Sequence, residues 1–280
     1  MTHHDTSALH ASAVAFRALH VPGRPLVLPN AWDTVSALLV EDAGAAALAT
    51  TSAGIAWELG AADGNRLDRG QALAAVERIA ARVRIPVTAD IESGYADDAE
   101  GVKDTVRAVL AAGAVGVNIE DALHDGEGRL RPVDEQAGRI AAARAAADEA
   151  GVPLFVNART DTFLSGGGSV EETLERAAVF VAAGADGVFV PGAADPAVVK
   201  ALVEGIDAPL NVMVGPWMPA GVPELAALGV ARVSAGAAVA QAAHALVRRA
   251  ARELLGTGTY ETLADGLDYG ELNSLIGGGR

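Results

Sequence analysis

The sequence predicts an α/β fold, a (β/α)8 TIM barrel, and three observations carry that expectation. Short apolar runs recur eight times along the chain. They alternate unevenly, as strands buried on both faces do. Ala-rich helical patterns lie between them, and alternation sustained this long argues for a closed barrel rather than an open sheet. An open dinucleotide-binding sheet would also show a Gly-rich turn after its first strand, where this chain reads Pro29-Asn30-Ala31-Trp32-Asp33. At 280 residues the chain fits one such domain. The expected organisation is a barrel over residues 1–255 and a C-terminal tail over 256–280.

In chain order the strands are expected at 25–30, 45–52, 86–92, 116–121, 153–160, 187–191, 210–215 and 231–236. The helices are expected at 34–42, 69–83, 97–112, 134–150, 169–183, 195–204, 219–228 and 238–255. Asp33, Asp97, Asp134 and Ser169 are candidate N-caps, Ser169 with Glu172 three residues on. Gly113, Gly184 and Gly229 stand where a helix stops in a left-handed turn. Tail residues 259–275 hold enough Tyr and Leu to dock on a neighbouring subunit, and Gly277-Gly278-Gly279 is expected to be disordered.

Apolar residues make up 51% of the chain and aromatics 4%, so the core must be mostly Ala, Val and Leu. The net charge of −15, with no basic patch, argues against nucleic acid and anionic membranes as partners. With no cysteine, the chain has no disulfide, thiolate metal site or cysteine nucleophile, which fits the cytoplasm. The polar start, with His3, His4 and Asp5, lacks a signal-peptide pattern. No apolar run reaches the roughly 18–20 residues of a membrane span.

In a barrel the chemistry sits where strands end. The second strand ends Thr51-Ser52-Ala53-Gly54, the third Asp90-Ile91-Glu92, the fourth Asn118-Ile119-Glu120-Asp121 and the fifth Asn157-Ala158-Arg159-Thr160-Asp161. Asp90 and Glu92 share a strand face, with Glu120 at equivalent height on the next strand. Three converging carboxylates repel unless a cation holds them. Hard oxygen ligands favour Mg²⁺ or Mn²⁺, so Asp90, Glu92 and Glu120 are the candidate metal ligands. The alternative is that these acids cap helices or pair with basic groups at the rim.

Arg159 is the basic residue of this cluster, and its fork suits a substrate carboxylate or phosphonate; the alternative is a salt bridge to Asp161 or Glu120. His124, in a polar loop, is a candidate proton donor or a solvated loop histidine. Ser165-Gly166-Gly167-Gly168-Ser169 reads as a flexible loop rather than a phosphate cradle, because the Lys-Ser/Thr pair is absent. Trp57 and Trp217 either wall the pocket or pack.

From about Phe16 to Leu255 the chain resembles the isocitrate lyase/phosphoenolpyruvate mutase superfamily. The resemblance rests on Leu28-Pro29-Asn30-Ala31-Trp32-Asp33, Thr51-Ser52-Ala53-Gly54-Ile55-Ala56, Asp90-Ile91-Glu92-Ser93-Gly94-Tyr95, Asn118-Ile119-Glu120-Asp121 and Asn157-Ala158-Arg159-Thr160-Asp161. It implies a barrel whose last helix is exchanged between subunits, in a homo-oligomer that is a dimer of dimers. It implies Mg²⁺ near Asp90, with Glu92 and Glu120 holding it directly or through water. Asp63 matches the family's acidic residue after strand two and joins Arg159 and His124 as a candidate catalytic residue. Thr51, Ser52, Ala53, Asn118 and Arg159 are the expected substrate-binding residues, backbone amides near Ser52 and Ala53 taking a carboxylate.

The isocitrate and methylisocitrate lyases of this superfamily carry a Lys-Lys-Cys-Gly-His loop after the fourth strand. Here that place reads Asp121-Ala122-Leu123-His124-Asp125-Gly126-Glu127, which weighs against those two substrates. The expected function is therefore Mg²⁺-dependent C–C cleavage or decarboxylation of a small anionic 2-oxo or 2-hydroxy dicarboxylic acid through a metal-stabilised enolate, with oxaloacetate decarboxylase-like activity favoured. Chemistry on a C–P bond, of the phosphoenolpyruvate mutase or phosphonopyruvate hydrolase type, is the alternative.

Overall fold

The computed structural model describes residues 6–165 and 168–278. Its elements in chain order are α1 (Thr6–Ala18), β1 (Leu26–Leu28), β2 (Asn30–Ala31), α2 (Thr34–Asp42), β3 (Leu48–Thr50), α3 (Ser52–Glu58), α4 (Arg69–Ala80), β4 (Val87–Asp90), α5 (Ala99–Ala111), β5 (Gly116–Glu120), α6 (Val133–Ala150), β6 (Phe155–Arg159), α7 (Val170–Ala182), β7 (Gly187–Val190), α8 (Pro196–Gly205), β8 (Leu210–Met213), α9 (Val222–Ala227), β9 (Arg232–Ser234), α10 (Ala238–Gly256), a 3-10 turn (Glu261–Leu263) and α11 (Tyr269–Gly277). All strand pairs are parallel, in the order β1-β9-β8-β7-β6-β5-β4-β3-β2. β1 and β2 are halves of one barrel strand split at Pro29, which has no N–H to give a ladder. β1 pairs with β9 and β2 with β3, so the sheet closes as a (β/α)8 barrel.

Strand alternation sorts each run into an outer and an inner face. Val188, Val190, Val212 and Val233 face out and pack with Val199, Leu202 and Leu225 from the helix ring. Asn118, Asn157, Asn211 and Arg232 face in: Asn157 Nδ2 donates to Asn118 Oδ1 at 2.8 Å and to Asn211 Oδ1 at 3.1 Å, and Arg232 Nη2 donates to Asn118 Oδ1 at 3.2 Å. This polar layer is the floor of the mouth above it.

Below the floor, α1 plugs the barrel. Phe16 is fully buried and meets Phe155 edge-on at 5.8 Å. A Cβ at Gly116 would lie 2.8 Å from Phe16 Cε1, so glycine is what lets this plug approach β5. Burying a Phe side chain is worth about 1.5–3 kcal/mol, enough to hold a short helix whose own pattern is weak. For that reason α1 was not visible as periodicity. The seven-residue α3 was hidden too, because its first residue is the end of an expected strand.

All eight expected strands and eight expected helices are present, with ends shifted by a few residues. Gly113, Gly184 and Gly229 do take left-handed φ of 92°, 106° and 97°. Asp33 and Ser169 cap as expected. Two other caps are corrected. Asp98 rather than Asp97 caps α5, accepting from Gly101 N at 2.8 Å. Asp134 lies inside the first turn of α6, whose N-cap is Pro132; its charge still complements the helix dipole there. Gly277 ends α11 and Gly278 caps it, and Gly279 lies outside the described residues.

α10 extends from the barrel with only Ala240 and Ala250 buried. Val239, Leu246, Val247, Leu254 and Leu255 are exposed along it. The tail folds back on Glu253, whose carboxylate accepts from Thr259 Oγ1, Glu261 N and Thr262 N. α11 lies against α2 of its own chain, beside Arg82, which donates to Ile276 O at 2.5 Å. No helix among the described residues is long and apolar enough to cross a membrane.

Candidate active site

The ends of β3 to β6 bring the predicted acids together. Asp90 ends β4; Ser52 Oγ donates to its Oδ2 at 2.9 Å, and its own N–H donates to Thr50 Oγ1 at 3.0 Å. Glu92 follows in a left-handed conformation, φ 49°, which turns its carboxylate back into the mouth. There it accepts from Tyr95 Oη at 3.2 Å and from Asn65 N. Glu120 ends β5, 2% exposed, between His124 Nε2 on one oxygen and Arg159 Nη1 at 2.6 Å on the other.

Arg159 is fully engaged. Beyond Glu120 it reaches Asp161, its Nε to Oδ1 at 2.6 Å and its Nη2 to Oδ2 at 2.8 Å. Both pairings weighed from the sequence are therefore made at once, and the two-bond carboxylate partner is the chain's own Asp161. Phe189 of β7 lies 5.8 Å beneath the guanidinium. Behind Asp161, Asp121 is completely buried and ties the turn down, accepting from Thr160 Oγ1 at 2.8 Å, Asp161 N at 3.0 Å and Arg176 Nη1 at 3.3 Å.

Burial and neighbouring acids set the electrostatics. Burial pushes Asp90 up to about 6, against the pull of Arg159 and with Glu120 adding to the rise. Burial also pushes Glu92 up to about 7, opposed by the Asn65 N–H and aided by Asp90 and Asp63. Burial acts on Glu120 in the same sense, but Arg159 and His124 outweigh it and leave Glu120 below its ordinary value. The hydrogen bond to Glu120 raises His124. The cluster thus gathers the carboxyls of Asp90, Glu92, Glu120 and Asp161 around one guanidinium, that of Arg159.

That excess fits a divalent cation. Ligand atoms of Glu92, Glu120 and His124 lie within 4.8 Å of one another, and Asp90 adjoins them, its Oδ1 accepting from Glu92 N at 3.3 Å. The carboxylate oxygens of Asp90, Glu92 and Glu120 suit Mg²⁺ or Mn²⁺. His124, expected as a proton donor or a solvated loop histidine, lies in this group, its Nε2 against Glu120.

The other predicted residues are distributed around this centre. Thr51 is the N-cap of α3, its Oγ1 accepting from Gly54 N at 3.4 Å. Ser52 and Ala53 occupy the first turn of α3, where backbone N–H groups lack intrahelical acceptors. Asn118 lies in the floor layer, held by Asn157 and Arg232. Asp63 is exposed, on a loop close enough to bias Asp90 and Glu92. That loop touches the site through Gly64, where a Cβ would lie 3.1 Å from His124 Nδ1. Trp57 packs edge-on against His244 at 6.1 Å, and Trp217 is 48% exposed on the β8–α9 loop. Residues 166 and 167 of the Gly-rich loop lie outside the described residues.

Sequence reading missed Asn65, whose N–H meets Glu92 and whose Nδ2 donates to Ser93 Oγ at 2.7 Å. The Gly64-Asn65 turn signal was the available clue. It also missed Arg176, which reaches the site only through Asp121.

A parallel barrel carries its active site at the carboxyl ends of its strands, where this chain gathers its acids around one arginine. The family model described as phosphoenolpyruvate phosphomutase matches residues 16–255. The chain belongs to that family, within the isocitrate lyase/phosphoenolpyruvate mutase superfamily. An uncharacterised protein of Mycobacterium tuberculosis is 37% identical, over 94% of this chain and 96% of its own length. A solved lyase/mutase-type structure from Burkholderia cenocepacia is 37% identical with TM-score 0.91, covering 96% of this chain and 97% of that one. An oxaloacetate decarboxylase of Ectopseudomonas mendocina is 31% identical over 73% of this chain and 70% of its own. A solved phosphonopyruvate hydrolase, in complex with oxalate and Mg²⁺, is 27% identical with TM-score 0.84 and covers 95% of each chain.

Proposed function

We propose that this chain is a Mg²⁺-dependent carbon–carbon lyase that decarboxylates or cleaves a small 2-oxo or 2-hydroxy dicarboxylic acid through an enolate, with oxaloacetate decarboxylase-like activity foremost. The observation that carries it is the acid-rich cluster of Asp90, Glu92 and Glu120, set against the guanidinium of Arg159 in the mouth. The named relatives support it, among them the oxaloacetate decarboxylase and the hydrolase solved with oxalate and Mg²⁺.

Asp90, Glu92 and Glu120 would hold the ion, with His124 at its edge. Mg²⁺, when bound, supplies Lewis-acid stabilisation of charge developing on the substrate's 2-oxo oxygen. In decarboxylation the bond between the carbon alpha to the ketone and the beta-carboxylate breaks. CO₂ leaves, the electron pair forms the enolate, and a proton then closes the product at carbon. Burial lowers the affinity of Arg159 for its proton, but Glu120 and Asp161 outweigh this and hold it well above its ordinary value, so it stays charged throughout. Its pre-set charge favours the enolate over the ketone. Asp161 fixes the plane of the guanidinium. His124, whose Nε2 meets Glu120, is the group placed to supply that proton, from the loop where the cysteine-bearing lyases carry their Lys-Lys-Cys-Gly-His segment. The backbone amides of Ser52 and Ala53 would take the substrate's carboxylate.

The loops after β7, β8 and β9 add no cation: residues 191–195, 214–221 and 235–237 contain no Lys, Arg or His. A substrate carrying a dianionic phosphonyl group finds no second positive charge there, which favours C–C over C–P chemistry. The test compares Mg²⁺-dependent loss of oxaloacetate with phosphate release from phosphonopyruvate. Faster turnover of phosphonopyruvate would replace this reading with the C–P one.

Assembly belongs to the same reading. The exposed apolar residues of α10 call for a partner, and a second copy of the chain, exchanging this helix in a dimer of dimers, would cover them.

A further inference from the structure

Arg139 is a buried cation with no carboxylate to neutralise it. It lies on α6 at 1% exposure, and among the described residues no acid comes within ion-pair distance. Glu135, Asp98 and Asp97 act on it only at longer range. Its Nε and Nη1 are buried without a hydrogen-bond partner. A guanidinium in this position is unfavourable unless its bonds do something a neutral side chain cannot. Those bonds go to one place: Nη2 donates to Ser93 O and to Ala96 O, the latter at 2.8 Å.

The turn held by those carbonyls carries Tyr95 and begins at Glu92. Glu92, Gly94 and Tyr95 take positive φ of 49°, 96° and 49°. Two of the three are not glycine, so the turn is strained and persists only where its surroundings over-determine it. The neighbouring helix supplies the second restraint. Thr105 Oγ1 on α5 donates to Gly94 O at 2.8 Å, and a Cβ at Gly94 would meet Val102 Cγ2 at 2.8 Å. Carbonyls 93, 94 and 96 are therefore all taken by side chains from two helices behind the mouth. The result is that Tyr95 Oη reaches the Glu92 carboxylate.

We infer that Arg139, assisted by Thr105, is a positioning residue: it clamps the left-handed turn 92–96 so that the Glu92 carboxylate and the Tyr95 hydroxyl point into the mouth. This rests on the reading of Glu92 as a metal-facing group. Arg139 touches neither substrate nor ion; it acts through the backbone that aims Glu92, as outer partners of metal ligands do.

The test uses the full chain as Arg139→Met, Arg139→Lys and Thr105→Val. Three quantities are measured: Mn²⁺ affinity by calorimetry, hydrogen exchange of the 92–97 backbone in EDTA, and the melting midpoint in EDTA. Arg139→Met is expected to weaken Mn²⁺ binding about 10–100-fold, as loss of an outer partner does. Exchange at 92–97 should speed up, and Arg139→Lys should restore part of both. Thr105→Val, which removes one restraint without a buried charge, should show the same changes to a smaller extent. A lower melting point in Arg139→Met with Mn²⁺ affinity and 92–97 exchange unchanged would make Arg139 merely structural and overturn the inference. If Arg139→Met does not fold, wild-type affinity and exchange in Thr105→Val overturn it equally. Should the wild-type chain bind no Mn²⁺, the metal reading fails, while exchange at 92–97 in the variants still decides the clamp.

Discussion

Glu120 and Arg159 are register partners on adjacent parallel strands, and their side chains close at 2.6 Å in the barrel mouth. The strand pairing itself thus sets a fixed positive charge beside the acid cluster. A point charge would satisfy Glu120, but only a planar fork also takes Asp161 in two bonds. Arg159→Lys should therefore fold and lose turnover by roughly 100-fold or more, about 2.7 kcal/mol at ~1.4 kcal/mol per decade. A fall in kcat at least as large as any rise in KM places the residue in the transition state. Kinetics like those of the wild type would remove Arg159 from the mechanism.

Asp90→Ala tests the metal site. Asp90 ends a strand whose preceding residues are buried, and its carboxylate is served by Ser52 and, among the described residues, by no basic side chain at ion-pair distance. The barrel should survive with unchanged far-ultraviolet dichroism. Mg²⁺ affinity should fall by more than the ~10–100-fold expected of an outer partner. Unchanged Mg²⁺ affinity by calorimetry would withdraw the assignment.

The raised carboxyls give a pH signature. Asp90 lies at about 6 against an ordinary 3.8, and Glu92 at about 7 against 4.5. Between the ordinary and raised values the folded protein binds more protons than the unfolded chain, so these two groups make the metal-free protein less stable as pH rises through that window. A bound cation competes with those protons, so stabilisation by Mg²⁺ should grow across the same range. In EDTA, the difference in melting midpoint between wild type and the Asp90→Asn, Glu92→Gln double variant should shift in favour of the variant from about pH 4 to about pH 8. A constant difference would show that the two acids ionise as they do in water.

Val247 and Leu255 are 66% and 89% exposed on α10. Val247→Glu should leave the barrel folded and lower the mass seen by light scattering to that of a monomer. A wild-type chain that is already monomeric would remove the case for an exchanged helix.

The barrel was legible because its two periodicities are local. Apolar runs mark strands, and Gly113, Gly184 and Gly229 mark helix ends. The acids and Arg159 were legible for the same reason, standing at the ends of recognisable strands. What the sequence concealed is non-local. Arg139 and Arg176 sit on helix patterns as ordinary basic residues, and only the fold brings one to the 92–96 turn and the other to Asp121. Asn65 reaches Glu92 from a loop between two helices. The choice open for Arg159, substrate anion or internal acid, could not be made from spacing, because both acids lie at distances any strand geometry allows. α1 was invisible because its hold comes from Phe16 meeting Gly116 across the barrel.

The most direct measurement follows oxaloacetate absorbance with the purified chain, with Mg²⁺ and with EDTA, beside phosphate release from phosphonopyruvate under the same conditions. The account predicts Mg²⁺-dependent loss of oxaloacetate, absent in EDTA and in Asp90→Ala, with phosphonopyruvate turned over at least about tenfold less efficiently, a difference of ~1.4 kcal/mol in the barrier. Phosphate release outpacing oxaloacetate loss, or oxaloacetate loss unaffected by EDTA, would contradict it.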